Sequence, residues 1–126
     1  MVNAIEKGKR GERKACHKLE EILNLPRESI TRSQQHSGKG ESSADVIGID
    51  ALHFEVKHRK KVDVFSAMQQ AKRDSKNKRI PVCVTKRNYS PWLISVEADN
   101  LVEFCKVILE TYQETPTRKM KRVPIN

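Results

Sequence analysis

Asp45-Val46-Ile47-Gly48-Ile49-Asp50-Ala51-Leu52-His53-Phe54-Glu55-Val56-Lys57 is the stretch whose reading decides the fold. Asp45 to Ile49 reads as a strand, Asp50-Ala51 as a turn, and Leu52 to Lys57 as the hairpin partner. Side chains alternate along a strand, so Glu55 and Lys57 leave the same face. With the turn at Asp50-Ala51 the two strands run antiparallel, which brings Asp45 near Glu55 across the pair. Two carboxylates held close repel each other, and a divalent cation relieves that repulsion. Oxygen ligands with open water positions suit Mg²⁺, with Mn²⁺ as a substitute. A lysine beside such a cation can orient a water or stabilise charge building on phosphate oxygens.

Toward the N-terminus, Ala4 to Leu25 reads as a helix whose apolar face carries Ala15, Cys16, Leu19, Ile22 and Leu23, with Pro26 closing it. One turn back that face reaches Glu12, and another turn back Gly8. Glu12 therefore points inward, which is costly without a partner; the alternative is that it snorkels or pairs with Lys9 or Arg13. Lys9, Arg10, Arg13 and Lys14 fan outward. Ser29 to Gln34 forms a short strand, and His36 to Ser43 has loop composition.

Toward the C-terminus, Val62 to Lys76 is a second helix with Val64, Ala67, Met68 and Ala71 on one face and Asp63 as its cap. Gln70 borders that stripe, whereas Gln69 points further away. Ile80 to Thr85 is a nearly continuous apolar strand, Asn88 to Pro91 a turn, and Trp92 to Val96 a further strand. A last helix from Asn100 to Tyr112 aligns Leu101, Phe104, Cys105, Ile108 and Tyr112, a core stripe or a dimer seam. The fold class that follows is α/β, a three-layer α/β/α sandwich around a mixed central sheet.

The chain has 126 residues, one domain's worth, with 25 lysines and arginines against 16 acids and a net charge of +9. A chain this basic favours a polyanionic partner, nucleic acid first. No apolar run reaches membrane-spanning length, the first residues lack a secretory signal, and a cytoplasmic location is expected. Residues 1–114 form the expected domain, and 115–126 a basic, flexible tail. Cys16, Cys83 and Cys105 form no C-x-x-C pair, so neither a zinc site nor a disulfide framework is expected, and all three are expected to be buried thiols. His17, His36, His53 and His58 show no ligand spacing and are expected at the surface or on phosphates, although His53 shares the parity of Glu55 and Lys57. No P-loop is present, and no small-molecule cofactor is expected.

The spacing Asp45-x9-Glu55-x-Lys57, with Glu12 in Gly8-Lys9-Arg10-Gly11-Glu12, resembles the PD-(D/E)XK nuclease superfamily. Within it the small basic chain is similar to archaeal-type and phage Holliday junction resolvases. Ala44 departs from the proline of the family's name. The resemblance implies an αβββαβ core, to which this chain adds a strand and a C-terminal helix. It implies Asp45, Glu55 and the Val56 carbonyl as metal ligands, Glu12 completing the site directly or through water, and Lys57 assisting the attacking water. It further implies a helix glutamine near metal and substrate, for which Gln70 is the better candidate. The implied reaction is hydrolysis of a DNA phosphodiester to a 5′-phosphate and a 3′-hydroxyl. Two symmetric nicks in a four-way junction suit a C2 homodimer.

The expected DNA-contacting residues are Lys9, Arg10, Arg13, Ser42, Ser43, His58, Arg59, Lys60, Lys61, Lys72 and Arg73, in keeping with phosphate contacts that position a duplex. Two alternatives remain at this point: a nuclease of the same fold acting on repair intermediates or phage DNA, and a non-catalytic nucleic-acid-binding module.

Overall fold

The structure is a computed structural model that describes residues 4–33 and 44–113. The expectations for Ser42, Ser43 and the 115–126 tail lie outside the described residues.

Helix α1 spans Ala4–Leu23 and stops where Asn24 takes a left-handed conformation (φ 57°), two residues before Pro26. Strands β1 (Thr31–Arg32), β2 (Val46–Ile47) and β3 (Leu52–Arg59) follow. Helix α2 (Val64–Ser75) is capped by Asp63, whose carboxylate accepts the backbone N–H groups of Phe65 and Ser66. Then come β4 (Ile80–Arg87), β5 (Leu93–Ser95), a short 3₁₀ turn at Ala98–Asn100, and helix α3 (Leu101–Thr111).

The five strands lie in chain order, β1-β2-β3-β4-β5. All neighbours are antiparallel except β3 and β4, which run parallel because α2 carries the chain back between them. The sheet is thus mixed, and helices cover both of its faces.

Alternation along the central strands sorts two cores. Leu52, Phe54 and Val56 of β3, with Val82 and Val84 of β4, pack with Ala15, Cys16, Leu19 and Leu23 of α1. Phe104, Val107 and Ile108 of α3 join them on that face. On the other face Cys83 packs with Ala67, Met68 and Ala71 of α2. His53, Glu55 and Lys57 have the opposite parity to Phe54 and Val56, and so belong to the α2 side.

Three sequence expectations need correction here. Ile22, placed on the inward stripe of α1, is exposed. Cys16 and Cys83 are buried, but Cys105 is exposed. Helix α3 docks through Phe104, Val107 and Ile108, leaving Leu101, Cys105 and Tyr112 exposed and no residue of the helix fully buried. The physical reason is sparse packing: only that narrow stripe of α3 finds neighbours, and the rest of its apolar surface is left exposed. No helix among the described residues is long and apolar enough to cross a membrane.

Candidate metal centre

The antiparallel pairing of β2 and β3 sets Val46 opposite Phe54, and the Asp45 N–H donates to the Phe54 carbonyl at 3.0 Å. One residue further along each strand, Asp45 and Glu55 stand across from each other. The Val56 N–H donates to Asp45 Oδ2 at 2.9 Å, which fixes that carboxylate and leaves its second oxygen for another partner. Lys57, two residues after Glu55 on the same face, holds its Nζ 3.4 Å from Glu55 Oε2. Asp45, Glu55 and Lys57 therefore converge, as strand parity and the hairpin require.

Glu55 is 1% exposed, and its Oε1 has no hydrogen-bond partner among the described residues. Burial, and then the charge of Asp45, push its carboxyl from 4.5 up to about 8, against the pull of Lys57. Asp45 is raised as well, first by burial, with the charge of Glu12 adding to it and the Val56 N–H opposing. The crowding of carboxylates is thus an electrostatic property of the folded chain.

Helix α1 brings Glu12 to the same cleft. Gly11 permits the approach: a Cβ there would stand 2.9 Å from the Cβ of His58 on β3. Glu12 is half-buried and accepts from Arg32 Nε at 2.9 Å, so its partner comes from β1 rather than from Lys9 or Arg13. Gly8, one turn earlier, lies at the cleft in open space.

The cleft measures about 650 Å³. Its acids are Glu12, Asp45 and Glu55, and its bases include Lys7, Lys57, Arg59, Lys60 and Lys61, with Val56, His58 and Gln70 also on its wall. Gln69 instead lines a separate groove with Val64, Phe65 and Met68.

Compared with family models, curated proteins and solved structures, the chain matches none. The site therefore has to be read from its own geometry.

Of the residues expected at DNA, His58, Arg59, Lys60 and Lys61 line the cleft, whereas Lys9, Arg10, Arg13, Lys72 and Arg73 do not. Arg13 borders another hollow with Arg27 and Arg32, and Lys72 is paired with Glu97 at 3.0 Å. Lys7 and Arg32 were not singled out from sequence. Lys7 sits one helical turn before Gly11, a spacing that could have found it. Arg32 is 20 residues from Glu12, and only the folded sheet brings them together.

The histidine expectation is corrected for His53. It is 1% exposed, and burial lowers its pKa against the opposing charge of Asp74. His58, half-buried, is tilted against Trp92 with ring centroids 5.5 Å apart, and burial and nearby lysines lower it too.

Proposed function

We propose that this chain is a metal-dependent DNA endonuclease whose substrate is a branched duplex, a four-way junction, resolved by a homodimer. The observation that carries the reading is the convergence of Asp45, Glu55 and Lys57, with Glu12, in a cleft whose remaining charged residues are basic. The donor set fits Mg²⁺ or Mn²⁺: three carboxylates whose crowding a dication relieves. Asp45 and Glu55 would hold the cation, and Glu12 would complete its shell.

A dication bound there supplies charge to a phosphoryl oxygen and acidifies a water. The chain's own groups do the rest. Lys57, anchored beside Glu55, orients the attacking water or stabilises charge on the phosphate. The Val56 N–H holds Asp45 in place before any ligand arrives. Arg59, Lys60 and Lys61 meet phosphates on the strand being cut, positioning the backbone without reading bases. Gln70, on the α2 side of the cleft, is placed to contact substrate. Hydrolysis leaves a 5′-phosphate and a 3′-hydroxyl.

The test is a cleavage assay on a labelled four-way junction beside linear duplex, nicked duplex and single strand, with Mg²⁺ and with chelator, for wild type and Glu55→Gln. Paired nicks at the junction, lost in the variant and in chelator, are expected. Metal-dependent cutting of linear DNA alone would retain the nuclease and remove the junction. Salt-sensitive binding unchanged in Glu55→Gln, with no cutting under any metal, would make the chain a non-catalytic binding module.

A further inference from the structure

Behind the cleft wall, on the α2 side of the sheet, lies a second group of ligating side chains. His53 stands two residues before Glu55 on β3, and Asp74 comes from the last turn of α2. Each of His53, Glu55 and Asp74 offers one ligand atom, and these atoms lie within 4.8 Å of one another. Small residues allow this: Ala67 and Ala71, both buried, let α2 settle close against the strand.

A second observation makes this more than a cluster. His53 and Glu55 are each 1% exposed, and each carries an orphan: His53 Nε2 and Glu55 Oε1 have no hydrogen-bond partner among the described residues. A buried polar atom left unsatisfied is costly, so an orphan on each of two residues of one cluster points to a missing ligand. Donors sharing one ion at about 2.1 Å stand roughly 3.4 to 4.2 Å apart, so a small contraction of the cluster suffices.

We propose that His53, Glu55 and Asp74 form a second divalent-cation site, with Glu55 as the wall it shares with the cleft. One imidazole and two carboxylates select a transition ion of the Zn²⁺, Mn²⁺ or Co²⁺ class over Mg²⁺, which prefers oxygen alone. Three protein ligands leave a position for water. Asp74, only half-buried, is the side from which the ion enters. In this arrangement Oε1 faces the transition ion while Oε2 stays at Lys57. The ion braces Glu55 from behind and ties β3 to α2.

The site shares Glu55 with the cleft but draws His53 and Asp74 from outside it, and its test needs no DNA. Co²⁺ serves as the probe, because its visible absorption reports imidazole-containing sites. The full chain is titrated with Co²⁺ as wild type, His53→Ala, Asp74→Asn and Asp45→Asn, with near-ultraviolet circular dichroism confirming that each metal-free variant is folded. Wild type is expected to develop a saturable visible band that excess Zn²⁺ displaces. His53→Ala should abolish it, Asp74→Asn should weaken binding about tenfold or more, and Asp45→Asn should retain it. If His53→Ala does not fold, Asp74→Asn decides. No band in wild type, a band unaffected by Asp74→Asn, or a band lost in Asp45→Asn would each overturn the site. A chain that cuts no DNA yet binds Co²⁺ through His53 would overturn the nuclease alone. A chain that cuts DNA with Co²⁺ binding indifferent to His53 and Asp74 would overturn this inference alone.

Discussion

Replacing Glu55 with glutamine should make the metal-free protein more stable, by an amount that grows as the pH rises from about 4.5 to about 8. Glu55 holds its proton up to about pH 8 when folded, against 4.5 as its ordinary value. The folded state therefore binds more protons than the unfolded state between these limits, and stability falls as pH rises through that window. The contribution is complete below pH 4.5 and lost above about 8. Each pH unit is worth about 1.4 kcal/mol, so the whole window amounts to roughly 5 kcal/mol. That is a large share of the 5–15 kcal/mol or so that holds a small domain together.

Other groups set where to look. His53 and His58 are lowered from 6.5, so their effect has the opposite sign and is complete above that pH. The buried thiols of Cys16 and Cys83 are pushed from 9.0 up to about 11 and act only in more alkaline solution. Between pH 7 and 8.5 Glu55 dominates, and Asp45 is shifted in the same direction. Over that interval wild type in chelator should lose about 1–2 kcal/mol, or about 5 °C of melting temperature. Glu55→Gln, neutral throughout, should lose little. Calorimetry or circular dichroism melts at half-unit pH steps measure both slopes. Adding Mg²⁺ should raise the wild-type melting temperature more at pH 8.5 than at pH 7, and leave the variant nearly unmoved. A wild-type melting temperature that is flat or rising across this interval, or an equal slope in Glu55→Gln, would refute the claim that burial and crowding strain this carboxylate.

Three further outcomes are expected. Gly11→Ala sets a methyl 2.9 Å from the Cβ of His58; overpacking of about 1–3 kcal/mol should outweigh the gain of about 1 kcal/mol in helix propensity, so urea denaturation should show a less stable protein. A more stable variant would mean α1 does not press on β3. Arg32→Ala removes the partner of Glu12, both side chains being 22% exposed; the melting temperature in chelator should fall, and Mg²⁺ should bind more tightly because Glu12 is no longer neutralised. Weaker Mg²⁺ binding by calorimetry would count against Glu12 as a ligand. Lys60→Ala and Lys61→Ala, at the rim of the cleft, should each reduce the slope of log binding constant against log salt by about one, measured by fluorescence anisotropy; an unchanged slope would take the duplex away from this rim.

How far the sequence could be read depended on whether a residue's partner was local. The β2–β3 hairpin was legible because period-two patterning and the Asp50-Ala51 turn act over a dozen residues, and the same patterning placed Glu55 and Lys57 on one face. The Asp63 cap and the small-residue face of α2 were legible for the same reason. The Arg32 partner of Glu12 was not, since it depends on where β1 joins the sheet. Nor was the burial of His53, because a histidine alternating with glutamate and lysine reads as a solvated face until α2 covers it. The stripe of α3 misled because periodicity reports which residues share a face, not how much of that face finds a neighbour.

The end of α3 bears on how the molecule can be handled. The Gln113 N–H donates to the Leu23 carbonyl, and Asn24 Nδ2 donates to the Gln113 carbonyl, so the chain after α3 is pinned to the far end of α1. Leu23 lies 11 residues beyond Glu12 on that helix, roughly 16 Å along its axis. A dye, surface tether or fusion partner joined beyond residue 113 thus starts well away from the cleft. The N-terminal turn of α1, by contrast, contributes Lys7 and Gly8 to the cleft itself, so an immobilisation tag there would crowd the entrance. For single-molecule work, the C-terminal side is the attachment point that leaves the cleft open.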